Sequence, residues 1–170
     1  MPVETLTAPI AFEELVEMAD EAGVKLEITN GIPTWEAFPG MRHQKTVSRI
    51  LFTVERQPGS DCGCFQIPDV YIKFPDGSLK RPDIAIFCEE PPDLDEAYPK
   101  IPEAVLEILS KGFEKKDIEI SAPFYIAQGV KDVILFDPRT NEVTHRRRDT
   151  TTRHESPITL NLECGCRITV

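Results

Sequence analysis

A mixed α/β fold is predicted by three observations. Two β-hairpin signals occupy the first half of the chain, amphipathic stretches of helical period lie between them, and an apolar strand–helix–strand unit runs from Ala104 to Phe136. Asn30-Gly31 and Pro75-Asp76-Gly77 join strand-forming runs and give antiparallel pairs. The strand–helix–strand unit needs a crossover, which places its two strands parallel. Helices packed against a mixed sheet satisfy both requirements.

Each element follows in order. Ala11 to Ala22 sets Leu15, Met18, Ala19 and Ala22 on one helical face with acids opposite, and Gly23 stops it. Val24–Thr29 and Ile32–Phe38 form the first hairpin, with Trp35 as a packing anchor. A second helix is predicted from Met41 to Arg56 on the stripe Val47, Ile50, Leu51 and Val54. Val70–Phe74 and Leu79–Phe87 form the second hairpin, and the acidic, proline-rich stretch from Glu89 to Pro102 is an exposed loop. Ala104–Leu109 is a strand, followed by a helix from Glu114 to Gln128 that ends at Gly129. A proline inside a helix costs about 3 kcal/mol. Pro123 therefore predicts a kink, or a fresh helix start with Ser121 as cap. Val133–Phe136, Glu142–Arg147 and the segment 158–170 are strands that complete the sheet.

The 170 residues suffice for one core and one domain, residues 1–170, and 41% hydrophobic with 28% charged residues is ordinary for a globular chain. No apolar run is long enough to cross a membrane, and Met-Pro-Val-Glu-Thr lacks the basic start of a signal peptide, so a cytoplasmic location is expected. A net charge of −10 counts against general nucleic-acid affinity, which rests on neutralising phosphates. Basic residues cluster in His145-Arg146-Arg147-Arg148 with Arg153-His154, and in Lys111, Lys115 and Lys116; these are duplex-holding patches or solvated surface. Cys62-Gly63-Cys64 and Cys164-Gly165-Cys166 offer four thiolates for Zn²⁺, since i and i+2 of a strand share a side. Together with Cys88 they are otherwise free thiols in a reducing compartment.

Asp83 and Glu107 carry the chemistry. Each is a carboxylate within a run that reads as a buried strand, Arg81-Pro82-Asp83-Ile84-Ala85-Ile86-Phe87 and Ala104-Val105-Leu106-Glu107-Ile108-Leu109. Such a carboxylate needs a cation or strong donors, and two on neighbouring strands raise each other's pKa unless a metal neutralises them. Hard oxygen ligands suit Mg²⁺ or Mn²⁺, and such an ion activates water for in-line attack on a phosphodiester. The bland readings are a Pro-Asp turn for Asp83, and for Glu107 an edge-strand position or a pair with Lys73. Glu27 alternates outward as a solvated or ion-paired residue, or stands as a third carboxylate near the metal. His43 caps or packs locally at a helix start, with a catalytic role as the alternative, and Phe124 and Tyr125 are core aromatics. Ser110 has no histidine arranged for nucleophilic catalysis.

The order Pro-Asp, then Glu in an apolar strand, then a helix resembles the PD-(D/E)XK nuclease superfamily, and within it the Uma-two family of restriction endonucleases. The matching pieces are Leu26-Glu27-Ile28-Thr29-Asn30-Gly31, His43, Arg81-Pro82-Asp83-Ile84-Ala85-Ile86, Leu106-Glu107-Ile108-Leu109-Ser110, Asp117, Tyr125 and Gly129 to Pro138. The resemblance implies a restriction-endonuclease-like mixed sheet flanked by helices, Asp83 and Glu107 as metal ligands, DNA as substrate and a homodimer. Superfamily members carry a lysine two residues after the Glu, where this chain has Leu109; the family pattern moves it into the next helix, where this chain has Ser121. Lys115 or Lys116 is the expected surrogate, with Lys111 and Lys73 as further candidates. The alternative is a catalytically impaired relative that binds nucleic acid or a protein partner, in which case Ser121→Lys is expected to raise cleavage.

Overall fold

The computed structural model describes residues 11–170; the first residues, on which the signal-peptide reading rests, lie outside the described ones. In chain order the elements are α1 (Phe12–Glu21), β1 (Val24–Thr29), β2 (Ile32–Ala37), α2 (Met41–Leu51), β3 (Glu55–Arg56), β4 (Phe65–Pro68), β5 (Ile72–Lys73), β6 (Leu79–Lys80) and β7 (Ile84–Phe87). Then come β8 (Ala104–Ile108), a π-helical turn (Lys116–Ser121), α3 (Ala122–Ala127), β9 (Asp132–Asp137), β10 (Glu142–Arg146), β11 (Thr151–Glu155), β12 (Thr159–Asn161) and β13 (Cys166–Thr169). Among the described residues no helix is long and apolar enough to cross a membrane.

A six-stranded sheet in the order β11-β10-β9-β8-β7-β4 forms the centre. The β8–β9 pair is parallel, as the crossover requires, and its neighbours pair antiparallel. Every residue of β7 and β8 is buried, so the strand period sorts them between two cores. Ile84, Ile86, Leu106 and Ile108 face Val47 and Ile50 of α2 and the C-terminal strands. Ala85, Phe87 and Val105 face Phe124 and Tyr125 of α3. Each such side chain contributes roughly 1.5–3 kcal/mol by leaving water. The odd-numbered side, shared with α3, is the one Asp83 and Glu107 belong to.

A four-stranded sheet, β2-β1-β6-β5, lies at one end, and a three-stranded sheet, β12-β13-β3, covers the other core. Several expectations are corrected here. Leu79–Phe87 is two strands in different sheets, because Pro82 has no N–H to continue a ladder. That break moves the chain from Lys80 in one sheet to Asp83 at the edge of the next. The second helix stops at Leu51, and Glu55–Arg56 is already a strand. The C-terminal strands form the separate small sheet rather than extending the central one. Trp35 is no packing anchor: it is 66% exposed on β2, which is the edge strand of its sheet among the described residues.

Pro123 is accommodated by a widened turn. The Ala122 N–H bonds to the Asp117 carbonyl five residues back, so the chain relaxes into π geometry before α3 begins with Pro123 in its first turn. Ser121 makes no side-chain cap there; its hydroxyl is used elsewhere.

The arginine run is only partly solvated. Asp132, at the start of β9, accepts hydrogen bonds from His145 Nε2 (2.7 Å), Arg147 Nε (2.7 Å) and the Glu163 N–H (2.7 Å). Burial raises the Asp132 pKa, but these donors outweigh it and leave it lowered. The five cysteines converge, as the two Cys-Gly-Cys pairs suggest, but Cys88 joins them. Cys62 pairs with Cys88 and Cys64 with Cys166 as disulfides, leaving Cys164 free.

Candidate active site

The site forms where β1, β6, β7, β8 and the π-helical turn meet. Ile84 pairs with Leu106 across β7 and β8, and extending that register by one residue sets Asp83 opposite Glu107. The two interlock: the Asp83 N–H donates to Glu107 Oε2 (3.3 Å), and Asp83 Oδ2 accepts from the Ile108 N–H (2.7 Å). Tyr125 of α3 donates its hydroxyl to Glu107 Oε1 (2.9 Å). His43, on the first turns of α2, holds Nε2 3.2 Å from Asp83 Oδ2. A cavity of about 180 Å³ opens onto Asp83, lined also by Lys25, Glu36, Gly40, His43 and Lys111.

A second layer surrounds this pair. Glu27 is only 2% exposed, and it is no outward, solvated residue. Its Oε2 accepts from Lys80 Nζ (2.8 Å) and Lys116 Nζ (3.1 Å), and its Oε1 from the Arg81 N–H (2.7 Å). Lys80, fully buried, also donates to Ser121 Oγ (3.0 Å). Lys116 reaches Glu36 (3.4 Å) and stands 3.3 Å from Asp117 Oδ1. That approach is close enough for ion pairing but lacks hydrogen-bond geometry, so the buried Oδ1 has no hydrogen-bond partner among the described residues.

The charges decide what this cluster can hold. Burial raises the Glu107 pKa, and Asp117 and Asp83 raise it further; Lys25 only partly opposes them, so the group stands well above its ordinary value. Asp117 is pushed up to about 6 by burial, with Glu36, Glu27 and Asp83 adding to it and Lys116 opposing. Glu27 is the reverse case. Burial raises it, but Lys80, Lys116 and Lys25 outweigh that and hold it well below the usual range. Burial works against the charge on Lys25 and Lys116, yet the surrounding carboxylates raise both. Burial likewise favours neutral His43, and its bond to Asp83 leaves the pKa raised. Five carboxylates (Glu27, Glu36, Asp83, Glu107, Asp117) thus face three ammonium groups (Lys25, Lys80, Lys116).

The residues singled out in the sequence divide accordingly. Asp83 and Glu107 come together on one side of the sheet, with His43 and Tyr125 touching them. Glu27 has both oxygens engaged by the lysines and the Arg81 amide. Lys116 joins the cluster, whereas Lys115 is exposed and makes no ion pair with any described carboxylate. Lys73 is on the surface, paired with Glu13 at 2.8 Å, and does not serve Glu107. Sequence reasoning missed Lys25, Lys80 and Glu36. The available signal was the alternation Lys25, Glu27, Thr29 on β1, opposite Leu26 and Ile28, with Lys25 directly across from Glu36.

The α/β architecture is that of a nuclease-like fold. It is similar to the crystal structure of "a putative nuclease belonging to DUF820" from Anabaena variabilis ATCC 29413, with a TM-score of 0.64, 17% sequence identity, and coverage of 89% of this chain and 88% of that one. Residues 12–164 match the Uma2 family, described as "Putative restriction endonuclease", and the chain belongs to that family. No curated protein matches the sequence.

Proposed function

We propose that the chain is a divalent-metal-dependent endonuclease that hydrolyses DNA phosphodiester bonds at Asp83 and Glu107. The observation that carries this reading is the interlocked, buried Asp83–Glu107 pair, with Asp117, whose Oδ1 faces Lys116 without a hydrogen bond, in the same carboxylate cluster. The donor set is all hard oxygen, which fits Mg²⁺ or Mn²⁺. Asp83 has an oxygen outside its hydrogen bonds, and a bound cation would offset the burial and carboxylate repulsion that raise the Glu107 pKa. A bound ion supplies Lewis-acid charge that polarises the phosphodiester and acidifies water.

The chain's own groups do the rest. Lys25 lines the cavity beside Asp83 and supplies the ammonium that stabilises charge developing on phosphate. His43 fixes Asp83 from the helix side, and Tyr125 fixes Glu107 from beneath. The net negative charge is offset locally by α2, whose exposed Arg42, Lys45 and Arg49 line one surface groove on the helix that carries His43. These side chains are suited to phosphate contacts flanking the scissile bond.

Supercoiled plasmid nicking tests the reading. Cleavage is expected with Mg²⁺ or Mn²⁺, none with excess chelator, and Lys25→Met is expected to slow it by roughly 10²–10³. Salt-sensitive DNA binding without cutting under any divalent ion would overturn the assignment and leave a binding protein on a nuclease fold.

A further inference from the structure

The nuclease reading uses none of the five cysteines, although they are gathered in one place from three separate stretches of chain. Cys62 and Cys64 precede β4, Cys88 follows β7, and Cys164 and Cys166 flank the tight turn between β12 and β13. The sulfur atoms of Cys62, Cys164 and Cys166 all lie within 4.8 Å of one another, with Cys62 and Cys166 3.4 Å apart. Cys88 is joined to Cys62 and Cys64 to Cys166, so all five sulfurs belong to one knot. The geometry points to a structural Zn²⁺ site: in the reduced chain Cys62, Cys164, Cys166 and one of Cys64 and Cys88 hold the ion as four thiolates.

Tetrahedral zinc with Zn–S near 2.3 Å sets its sulfur atoms about 3.8 Å apart. The trio's spacings, 3.4 Å for one pair and none above 4.8 Å, lie close to that value, and Cys64 and Cys88, each bonded to a member of the trio, are near enough to supply the fourth ligand. The backbone is shaped for close approach. A Cβ on Gly63 would stand 2.8 Å from the Cys88 carbonyl and run into the Phe65 ring. Gly165 has φ +97°, and a Cβ there would overlap the Ser60 side chain. Both Cys-Gly-Cys turns therefore require glycine to bring their sulfurs inward.

Disulfide pairing alone is a poor end state for this knot. It leaves the Cys164 thiol beside two disulfides, where thiolate attack can reshuffle the bonds. With all five cysteines reduced, four thiols release their protons and bind one Zn²⁺, and none of the four remains to exchange. Such a site has a structural purpose. The three-stranded sheet β12-β13-β3 has strands of three, four and two residues, too few to stand alone, and the ion would staple it to β4 and β7. It lies in the core on the α2 side, opposite the face of Glu107, so its failure leaves the nuclease reading untouched.

The test is metal analysis of the full chain, purified without chelator under a phosphine reductant. One zinc per chain is expected, with four of the five thiols shielded from a disulfide reagent until a mercurial displaces the ion. Cobalt substitution is expected to give the intense visible bands and thiolate charge transfer of a tetrahedral four-sulfur site, a readout that needs no variant. Cys164→Ser loses the ion, and of Cys64→Ser and Cys88→Ser one loses it while the other keeps it. Reduced protein that binds no zinc on reconstitution, or Cys164→Ser that binds it as the parent does, overturns the site.

Discussion

Glu107→Gln is expected to leave the metal-free protein as stable as the parent or more so, while Mg²⁺-dependent cleavage falls by at least about 10³-fold, the equivalent of several kcal/mol of lost metal assistance. The two effects separate because Glu107 is held well above its ordinary pKa by burial and by Asp117 and Asp83. The amide resembles the protonated acid that the metal-free site favours. It still accepts from the Asp83 N–H, and Tyr125 can turn its hydroxyl to suit. A raised carboxyl pKa stabilises the folded state fully below the unfolded value, and that contribution is lost as pH rises through the folded value. For Asp117 the window runs from 3.8 to about 6, and Glu107 acts in the same direction. Glu27, held low, acts the other way only below 4.5, so thermal melts of the metal-free parent should weaken as pH rises through the upper part of this range, where Mg²⁺ should restore stability. Glu107→Gln should flatten the pH slope and abolish the Mg²⁺ response. Asp83→Asn should also abolish cleavage, but with a lower Tm, because Asp83 holds both His43 and the Ile108 amide. A Glu107→Gln protein that cuts at the parental rate removes Glu107 from the metal centre.

The central pair was legible in the sequence because its physical signal is local. A charge inside an apolar strand stands out against Leu106 and Ile108 on either side, and the parallel unit was set by an apolar strand, a helix and a second apolar strand. Lys25 and Lys80 were not legible for the opposite reason. Lys25, Glu27 and Thr29 alternate with Leu26 and Ile28, the ordinary signature of a strand with one wet face. Here the polar face looks inward at other charges, and no local pattern distinguishes water from a buried ion cluster. Lys80 was hidden by the strand reading of Leu79–Phe87. Only the break at Pro82 brings a residue of the outer sheet and one of the central sheet to a common point. Trp35 failed in the other direction, since an aromatic in a hairpin strand gives no sign of which strand lies at a sheet edge.

Ser121→Lys, the change that restores the family's helix lysine, is expected to destabilise this protein rather than improve cleavage. The space it would enter is already held by Lys80, whose ammonium lies 3.0 Å from Ser121 Oγ and 2.8 Å from Glu27 Oε2, and within 6.0 Å of the rings of Phe124 and Tyr125. A second ammonium there adds volume to a closed site and sets like charges side by side. Lys80→Ala removes the shortest cation contact of a buried carboxylate, a loss of roughly 3–5 kcal/mol. In a chain of this size that lowers Tm by about 6–20 °C. The double variant Lys80→Ala with Ser121→Lys should recover most of this, because the ammonium then arrives from the helix instead of the strand. The expected signature is a coupling energy of about 2 kcal/mol or more between two positions that touch. Denaturant unfolding of the parent, the two single variants and the double variant closes the cycle. Simple additivity would show that Lys80 and a lysine at position 121 are unrelated. Recovery would identify them as one buried positive charge, delivered here from β6 instead of from the helix and required to keep Glu27 ionised behind the Asp83–Glu107 pair.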